Sequence, residues 1–369
     1  MTTGVTYDDF VAALEERKRV VYEYLYRDRH STRFQPAHIR EAIYSYMDAG
    51  GKSLRPAVLL FACGAVGGEE ARAVPVAAAI EIFHTWTLVH DDVIDRDTKR
   101  RGGPTVHEEF RQRAVDEFGY EAAEAEHYGL SIAILAGDMQ QGWAVSILSR
   151  LAEEGGVDPR VALYLIHDAE MRVLSLLIDG EMRDVQFSKT DITEITEDDV
   201  IAMLTKKTGV LYEYAGKAGS MIGLDTCDEA NPVIQAISAF ASGCGTAFQL
   251  QDDILGVVGD EEALLGQLVH HAVEPLVLGA EHGGLGHAEV LEEELGRVLR
   301  LHAHLLELVA LDEPLHAVLD DEEGHARLCH RGPGWRRKQG RLLEGRCVLH
   351  GQTAPRQASL SNGRRLPRG

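Results

Sequence analysis

The chain is poor in several things that would mark out particular classes of protein. Its five cysteines (Cys63, Cys227, Cys244, Cys329 and Cys347) are scattered, without the close pairs of a thiolate metal site or a disulfide framework. No uninterrupted apolar run is long enough to span a bilayer, so no transmembrane segment is expected. Met1 to Phe10 lacks a basic start followed by an apolar stretch, so no secretory leader is expected either. Positive charge is scarce: 37 Lys and Arg stand against 59 Asp and Glu, a formal net charge of -22. That excess repels polyanions and argues against nucleic acid or an anionic membrane surface as the main partner. A small anionic substrate remains compatible, because bound metal ions can reverse the field locally. Together these readings predict a reduced, cytoplasmic setting.

Alternating runs that would announce strands are also scarce. From Tyr7 to about Leu255, apolar residues instead recur at intervals of three and four, as in Phe10, Leu14, Val21 and Leu25. Breakers separate these stretches at Gly50-Gly51, Gly67-Gly68, Gly102-Gly103-Pro104, Gly155-Gly156 and Asn231-Pro232. The pattern predicts an all-α fold of many helices and short loops.

Beyond Ile254 the composition changes abruptly. Ile, Phe and Tyr disappear, and Lys338 is the last lysine and the only one in that stretch. Histidine becomes frequent between His270 and His350. Ala326 to Gly369 is rich in arginine and holds one acid, Glu344. Glu289 to Asp312 could still form helix, being rich in Leu, Glu and Ala. The sequence after Gly332 reads as loop or disorder.

Two acidic constellations carry chemistry. The first is Asp91-Asp92-Val93-Ile94-Asp95, at the end of an apolar helical stretch that starts near Glu81. Positions four apart share a helix face, so Asp91 and Asp95 point the same way with Asp92 beside them. Carboxylates crowded in this way repel one another unless cations bridge them, and hard oxygen ligands suit magnesium. A solvated helix end would give the same local pattern. The second constellation, Phe248-Gln249-Leu250-Gln251-Asp252-Asp253, repeats the arrangement on another helix. Two such pairs facing each other across a bundle could hold a metal-diphosphate cluster.

A basic set complements them. Gly50-Gly51-Lys52-Ser53-Leu54-Arg55-Pro56 puts Lys52 and Arg55 near the start of a helix, where both can grip one anion. Arg100-Arg101-Gly102 follows the first acidic motif, and Lys207-Thr208 sits in another helical segment. Any one of these cations could be an ordinary surface charge. Their combination with two acidic motifs suggests metals for one diphosphate and bare cations for another.

Residues from about Ala42 to Asp260 closely resemble trans-isoprenyl (polyprenyl) diphosphate synthases of the farnesyl and geranylgeranyl type. The motifs carrying the resemblance come in the expected order: Gly-Gly-Lys-Ser-Leu-Arg-Pro, Leu88 to Asp95, Arg100 to His107, Ala136-Gly137-Asp138, Lys207-Thr208-Gly209 and Phe248 to Asp253. The resemblance implies an isoprenoid synthase type helical bundle with a central active-site cavity, usually dimeric. It also implies condensation of isopentenyl diphosphate with an allylic diphosphate (dimethylallyl, geranyl or farnesyl). Lys52, Arg55, His84 and Arg101 would then bind isopentenyl diphosphate. Asp91 and Asp95, with Asp92 assisting, would bind Mg2+ on the allylic diphosphate. Asp252, with Asp253, would complete the metal cluster from the other side. Arg100, Lys207, Thr208 and Gln249 would contact the allylic substrate. Trp86 and Thr87, five and four residues before Asp91, would set pocket depth, and the bulky Trp86 resembles the geranylgeranyl-forming type.

The chain departs from the family in places. Gly256 stands where many members have a third Asp, and Glu181 occupies a usual Gln position, with Asp184 retained. From Leu265 the expected Gly-Lys and Lys-Thr pairs are missing. The division read from the sequence is therefore a catalytic domain at 1–264, incomplete at its C-terminal end, then an atypical segment at 265–369. A reading-frame change near residue 264 would produce such a segment, of which 326–369 is basic and read as disordered. An inactive or non-catalytic relative of the synthases is thus one alternative. A terpene cyclase is another, although such enzymes generally lack the Lys52/Arg55 pair.

Overall fold

A computed structural model describes residues 7–28 and 31–258 of the chain, together with two short strands further on, His316–Leu319 and Ala326–Cys329. The first stretches are helical nearly throughout, as the apolar spacing predicts. Two compact units are distinguished, Met1–Ala303 and His304–Gly369.

In the first unit the order is α1 (Tyr7–Arg27), α2 (Ala37–Asp48), α3 (Leu54–Ala65), α4 (Glu70–Asp95), α5 (Val106–Phe118), α6 (Ala122–Leu148), α7 (Leu151–Glu154) and α8 (Pro159–His167). Then come α9 (Leu174–Phe187), α10 (Glu197–Leu204), α11 (Val210–Leu224) and α12 (Pro232–Val258). The starts follow local chemistry. Asp158 accepts a hydrogen bond from the Arg160 amide, with Pro159 at the first helical position of α8. Thr196 and Asp199 form a reciprocal capping box on α10.

Burial follows composition. α3 is apolar all round and buries Pro56 to Cys63 and Ala65, the signature of a central helix. α11 packs between α3 and α12, while α4 lies against α3 and α6, and α6 also carries α5. The core is one continuous cluster running from Phe10 and Leu25 through Phe61, Ile80 and Ile147 to Tyr214 and Phe240.

Two helices, Glu70–Asp95 and Pro232–Asp253, are long and apolar enough to cross a membrane by length and composition alone. The sequence reading expected none. Their apolar windows are 67% and 56% buried against neighbouring helices, which is how core helices satisfy the same pattern.

Two interruptions matter for the site. Asp168–Val173 joins α8 to α9, and Thr205–Gly209 joins α10 to α11, each as a π-helical turn. Such wide turns let a helix continue while turning its side chains out of the 3.6-residue register, and they often mark functional positions. Strands are few: β1 (Lys99–Arg100) and β2 (Gly103–Pro104) form a small hairpin just after α4.

In the second unit β3 (His316–Leu319) pairs antiparallel with β4 (Ala326–Cys329), His316 opposite Cys329 and Leu319 opposite Ala326. The sequence reading placed 326–369 in disorder, so β4 is a difference. Val318, being β-branched, suits a pleated strand. The expected helix at 289–312, the boundary at 264/265 and the loop after Gly332 lie outside the described residues.

Candidate active site

A cavity of about 310 Å³ opens between α4, α9, α11 and α12, with Arg55 of α3 reaching into it. Asp91, Glu181 and Lys207 line it on one side, and Arg55 and His84 on another. Trp86, Leu88, Leu177, Ile178 and Leu211 supply apolar wall between them.

The acidic side is built around one ammonium. Lys207 projects from the π-turn, with Nζ 3.2 Å from Asp91, 3.0 Å from Glu181 and 2.6 Å from Asp184. Gly180 makes this approach possible: a Cβ there would lie 2.4 Å from the backbone nitrogen of Lys207, so any side chain would force α9 away. Crowding acids shifts their ionisation. Burial, and then the neighbouring Asp91 charge, push the Glu181 carboxyl up to about 7. Burial and Asp91 raise Asp95 as well, and burial with Asp184 raises Asp253. Burial disfavours the Lys207 charge, but Asp91, Asp184 and Glu181 outweigh it and hold the amine protonated.

The second acidic motif reaches the same place. Thr208 Oγ1 donates to Gln249 Oε1 at 3.1 Å, and Gln249 Nε2 donates to Asp253 at 2.9 Å. Asp253 thereby joins the field around Lys207 and Asp184. Asp252 precedes it on α12 and is half-buried.

Does this side suit magnesium? Among the described residues no three His, Cys, Asp or Glu side chains converge closely enough to cage an ion unaided. The donor set is all carboxylate oxygen, and burial, with neighbouring acids, raises Asp95, Glu181 and Asp253 within it. Magnesium is ordinarily held by one or two carboxylates plus substrate phosphates, with waters filling its octahedron. Asp91 and Asp95 on one side, with Asp253 on the other, fit that sharing.

Asp92 departs from the expectation that groups it with Asp91 and Asp95. Its side chain is fully buried and turned away from the cavity. Arg100 donates to it from Nε at 2.8 Å and Nη2 at 2.5 Å, and the Tyr46 hydroxyl donates to it as well. Consecutive residues on a helix project about 100° apart, so one neighbour faces the cavity while the other faces the core. Arg100 is correspondingly committed: it approaches Asp91 only at 3.9 Å. It is held in the pair with Asp92 and is not among the residues lining the cavity.

On the basic side, Arg55 Nη1 lies 3.0 Å from His84 Nε2. Burial and then the Arg55 charge push the His84 pKa well down, so the ring is neutral and Nε2 accepts from Arg55. The Arg55 guanidinium also lies 4.6 Å over the Tyr212 ring. Lys52 is exposed, with its ammonium 5.3 Å over Phe248. Arg101 is folded back, donating to the backbone carbonyls of Tyr46 at 3.0 Å and of Gly50. Thr87 lines the cavity but turns its hydroxyl onto the His84 carbonyl at 2.8 Å.

The chain matches the polyprenyl synthetase family model over residues 36–269, more than half its length. It belongs to that family. Among similar proteins, the geranylgeranyl diphosphate synthase of Methanosarcina mazei is 35% identical over 230 residues, 62% of this chain and 62% of that one. The geranylgeranyl diphosphate synthase of Sulfolobus acidocaldarius is 35% identical over 225 residues, 61% of this chain and 60% of its own. The farnesyl diphosphate synthase of Geobacillus stearothermophilus is 32% identical over 255 residues, 68% of this chain and 76% of its own. The crystal structure of the geranylgeranyl pyrophosphate synthetase of Pyrococcus horikoshii Ot3 superposes with a TM-score of 0.59 at 25% identity, over 84% of this chain and 99% of that one. The chain thus spans about 60% of the length of the first curated relatives it matches. Its fold is the all-α bundle of the isoprenoid synthases.

Within this polyprenyl synthetase site, Glu181 and Asp184, noted in the sequence only as a departure and a retained acid, belong to the acid cluster around Lys207. Their spacing three apart on one helix, after a glycine, was the available signal. His90 also lines the cavity and was passed over, since it reads as a mere neighbour of the acidic motif.

Proposed function

We propose that this polyprenyl synthetase family member is a prenyltransferase that joins isopentenyl diphosphate to an allylic diphosphate, most simply yielding geranylgeranyl diphosphate. The observation that carries the reading is the cavity itself, with carboxylates around Lys207 on one side, Arg55 with neutral His84 on another, and apolar wall between. Magnesium, bound between Asp91, Asp95 and Asp253, would supply charge neutralisation for the departing diphosphate.

The chain's own residues do the rest. Lys207, already protonated, turns its ammonium from the carboxylates to the phosphate oxygens as negative charge develops there. Arg55 and the exposed Lys52 take the second diphosphate. A neutral His84 leaves the Arg55 charge undiminished and can hydrogen-bond without adding a third cation. Leu88, Leu177 and Leu211 keep water from an allylic cation, whose carbon is then attacked by the isopentenyl double bond. Proton loss from the adduct, to the released diphosphate, completes the condensation. A cytoplasmic homodimer belongs to the same proposal; the exposed Ile134, Leu135 and Met139 on α6 offer an apolar face for it.

A second reading rests on the sequence beyond residue 264, where the Gly-Lys and Lys-Thr pairs of the family are missing. On that reading the chain keeps the family's site and lacks condensation activity. Incubating the full chain with magnesium, isopentenyl diphosphate and each allylic diphosphate, with mass spectrometry of the products, separates the two. A longer prenyl diphosphate supports the enzyme. Its absence, in folded protein that still binds a magnesium-bisphosphonate, supports the inactive relative.

A further inference from the structure

Trp86 is half-buried on the cavity wall, and its indole is held at several points. Its Nε1–H donates to His90 Nδ1 at 3.1 Å, one helical turn further along α4. A nitrogen that accepts from the indole carries no proton, so the ring proton sits on Nε2. That Nε2 lies 3.2 Å from the Ile134 carbonyl of α6, and the tautomer makes it the donor. The indole also meets Phe83 edge-on at 5.0 Å and the His90 ring at 5.7 Å. Trp86 is therefore tied through His90 to the backbone of a second helix.

The seat for His90 is Gly137. A Cβ at that position would lie 2.2 Å from His90 Nε2 and 2.5 Å from Cδ2, so even alanine would displace the imidazole. The glycine of Ala136-Gly137-Asp138 thereby acquires a task at the cavity, through His90.

We propose that His90, seated on Gly137, is the positioning residue that fixes Trp86 and so sets the longest prenyl chain the cavity accepts. This rests on the reading of the cavity as a prenyl diphosphate site. Trp86 lies five residues before Asp91, roughly 7.5 Å along the helix at 1.5 Å per residue, on the way from the diphosphate end into the apolar part. A wall discriminates lengths only if it does not yield. An indole free to change rotamer could swing aside for a longer chain, whereas one held by a hydrogen bond and two edge contacts cannot do so without breaking them. Apolar pockets separate ligands differing by a methylene by about ten- to 200-fold, so release of the wall is measurable.

The test uses the full chain with magnesium and unreactive thiolodiphosphate analogues of geranyl, farnesyl, geranylgeranyl and farnesylgeranyl length, titrated calorimetrically. In His90→Ala and Gly137→Ala the ratio of farnesylgeranyl to geranylgeranyl affinity should rise about tenfold or more. His90→Asn, which keeps an acceptor near the Nδ1 position, should hold the ratio close to that of the unaltered chain. The proposal is overturned if folded His90→Ala keeps the original ratio, or if all lengths weaken equally, which would mark a merely structural histidine. Trp86→Ala supplies the released limit should Gly137→Ala fail to fold. An unaltered chain that binds none of the analogues would bring down the prenyl-site reading and this inference with it. One that binds them with a length cut-off insensitive to residue 90 would bring down this inference alone.

Discussion

Arg100 holds Asp92 with two nitrogens, Nε at 2.8 Å and Nη2 at 2.5 Å, beneath the acidic motif of α4. The carboxylate is wholly inaccessible and the guanidinium about a quarter exposed, so the pair is a buried one. Removing one member of such a pair strands the other, at a cost of about 3–5 kcal/mol. Asp92→Ala should therefore unfold at much lower urea concentration than the unaltered chain. Asp91→Asn, which relieves repulsion among carboxylates, should leave the midpoint in place or raise it while abolishing turnover. Equal midpoints for Asp92→Ala and the unaltered chain would refute the structural role given to Asp92.

Glu181 predicts a pH dependence with a defined sign. Its carboxyl rises from the ordinary 4.5 to about 7 in the fold, so the folded state keeps a proton that the unfolded chain has lost. Ionising it penalises folding: the penalty is absent below about 4.5, grows towards 7 and is complete above it. Metal-free protein should thus lose thermal stability across that interval. Glu181→Gln should gain most at pH 8 and almost nothing at pH 4. Asp95 and Asp253 are shifted in the same direction, so some slope survives in the variant. Differential scanning fluorimetry across pH 4–8 reads this directly, and parallel curves would contradict it.

Lys207 is both counter-cation and candidate catalytic group. Lys207→Ala should lower kcat by about 10²–10³, the usual effect of deleting one preorganised donor to a developing charge. The same change leaves Asp91, Glu181 and Asp184 facing one another without the ammonium. Metal-free stability should fall at pH 8, and magnesium should restore much of it. Loss of activity without any magnesium-dependent recovery in Tm would argue against the counter-cation role.

The exposed α6 face gives a prediction about assembly. Leu135 is 52% exposed beside Ile134 and Met139. Leu135→Glu places a charge on that face and should shift the mass measured by light scattering from dimer to monomer at micromolar concentration. A dimer mass unchanged by the substitution would place the proposed interface elsewhere, and a monomeric unaltered chain would overturn the dimer proposal.

The all-α character was legible because apolar spacing of three and four is written directly into the chain, and both acidic motifs advertise themselves as carboxylates closing apolar helices. Family membership followed from motif order. Other features were not legible, for physical reasons. Helical periodicity separates Asp91 from Asp92 in direction, but only the packing of Tyr46 and Arg100 decides which of them faces the core. Nothing in Thr205 to Gly209 signals a π-turn, because the widening reflects the fit of α10 and α11 against α9 and α12. His90 looked like a bystander until α6 supplied the Ile134 carbonyl and the space above Gly137.

By itself, then, the sequence determined the helices, the identity of the charged groups and the family, since these depend on residue type and local spacing. Tertiary structure alone decided that Lys207 serves three carboxylates, that Asp92 braces rather than reaches into the cavity, and that His84 is neutral. Those outcomes depend on distance and burial between residues far apart in the chain, and electrostatic strength changes steeply with both.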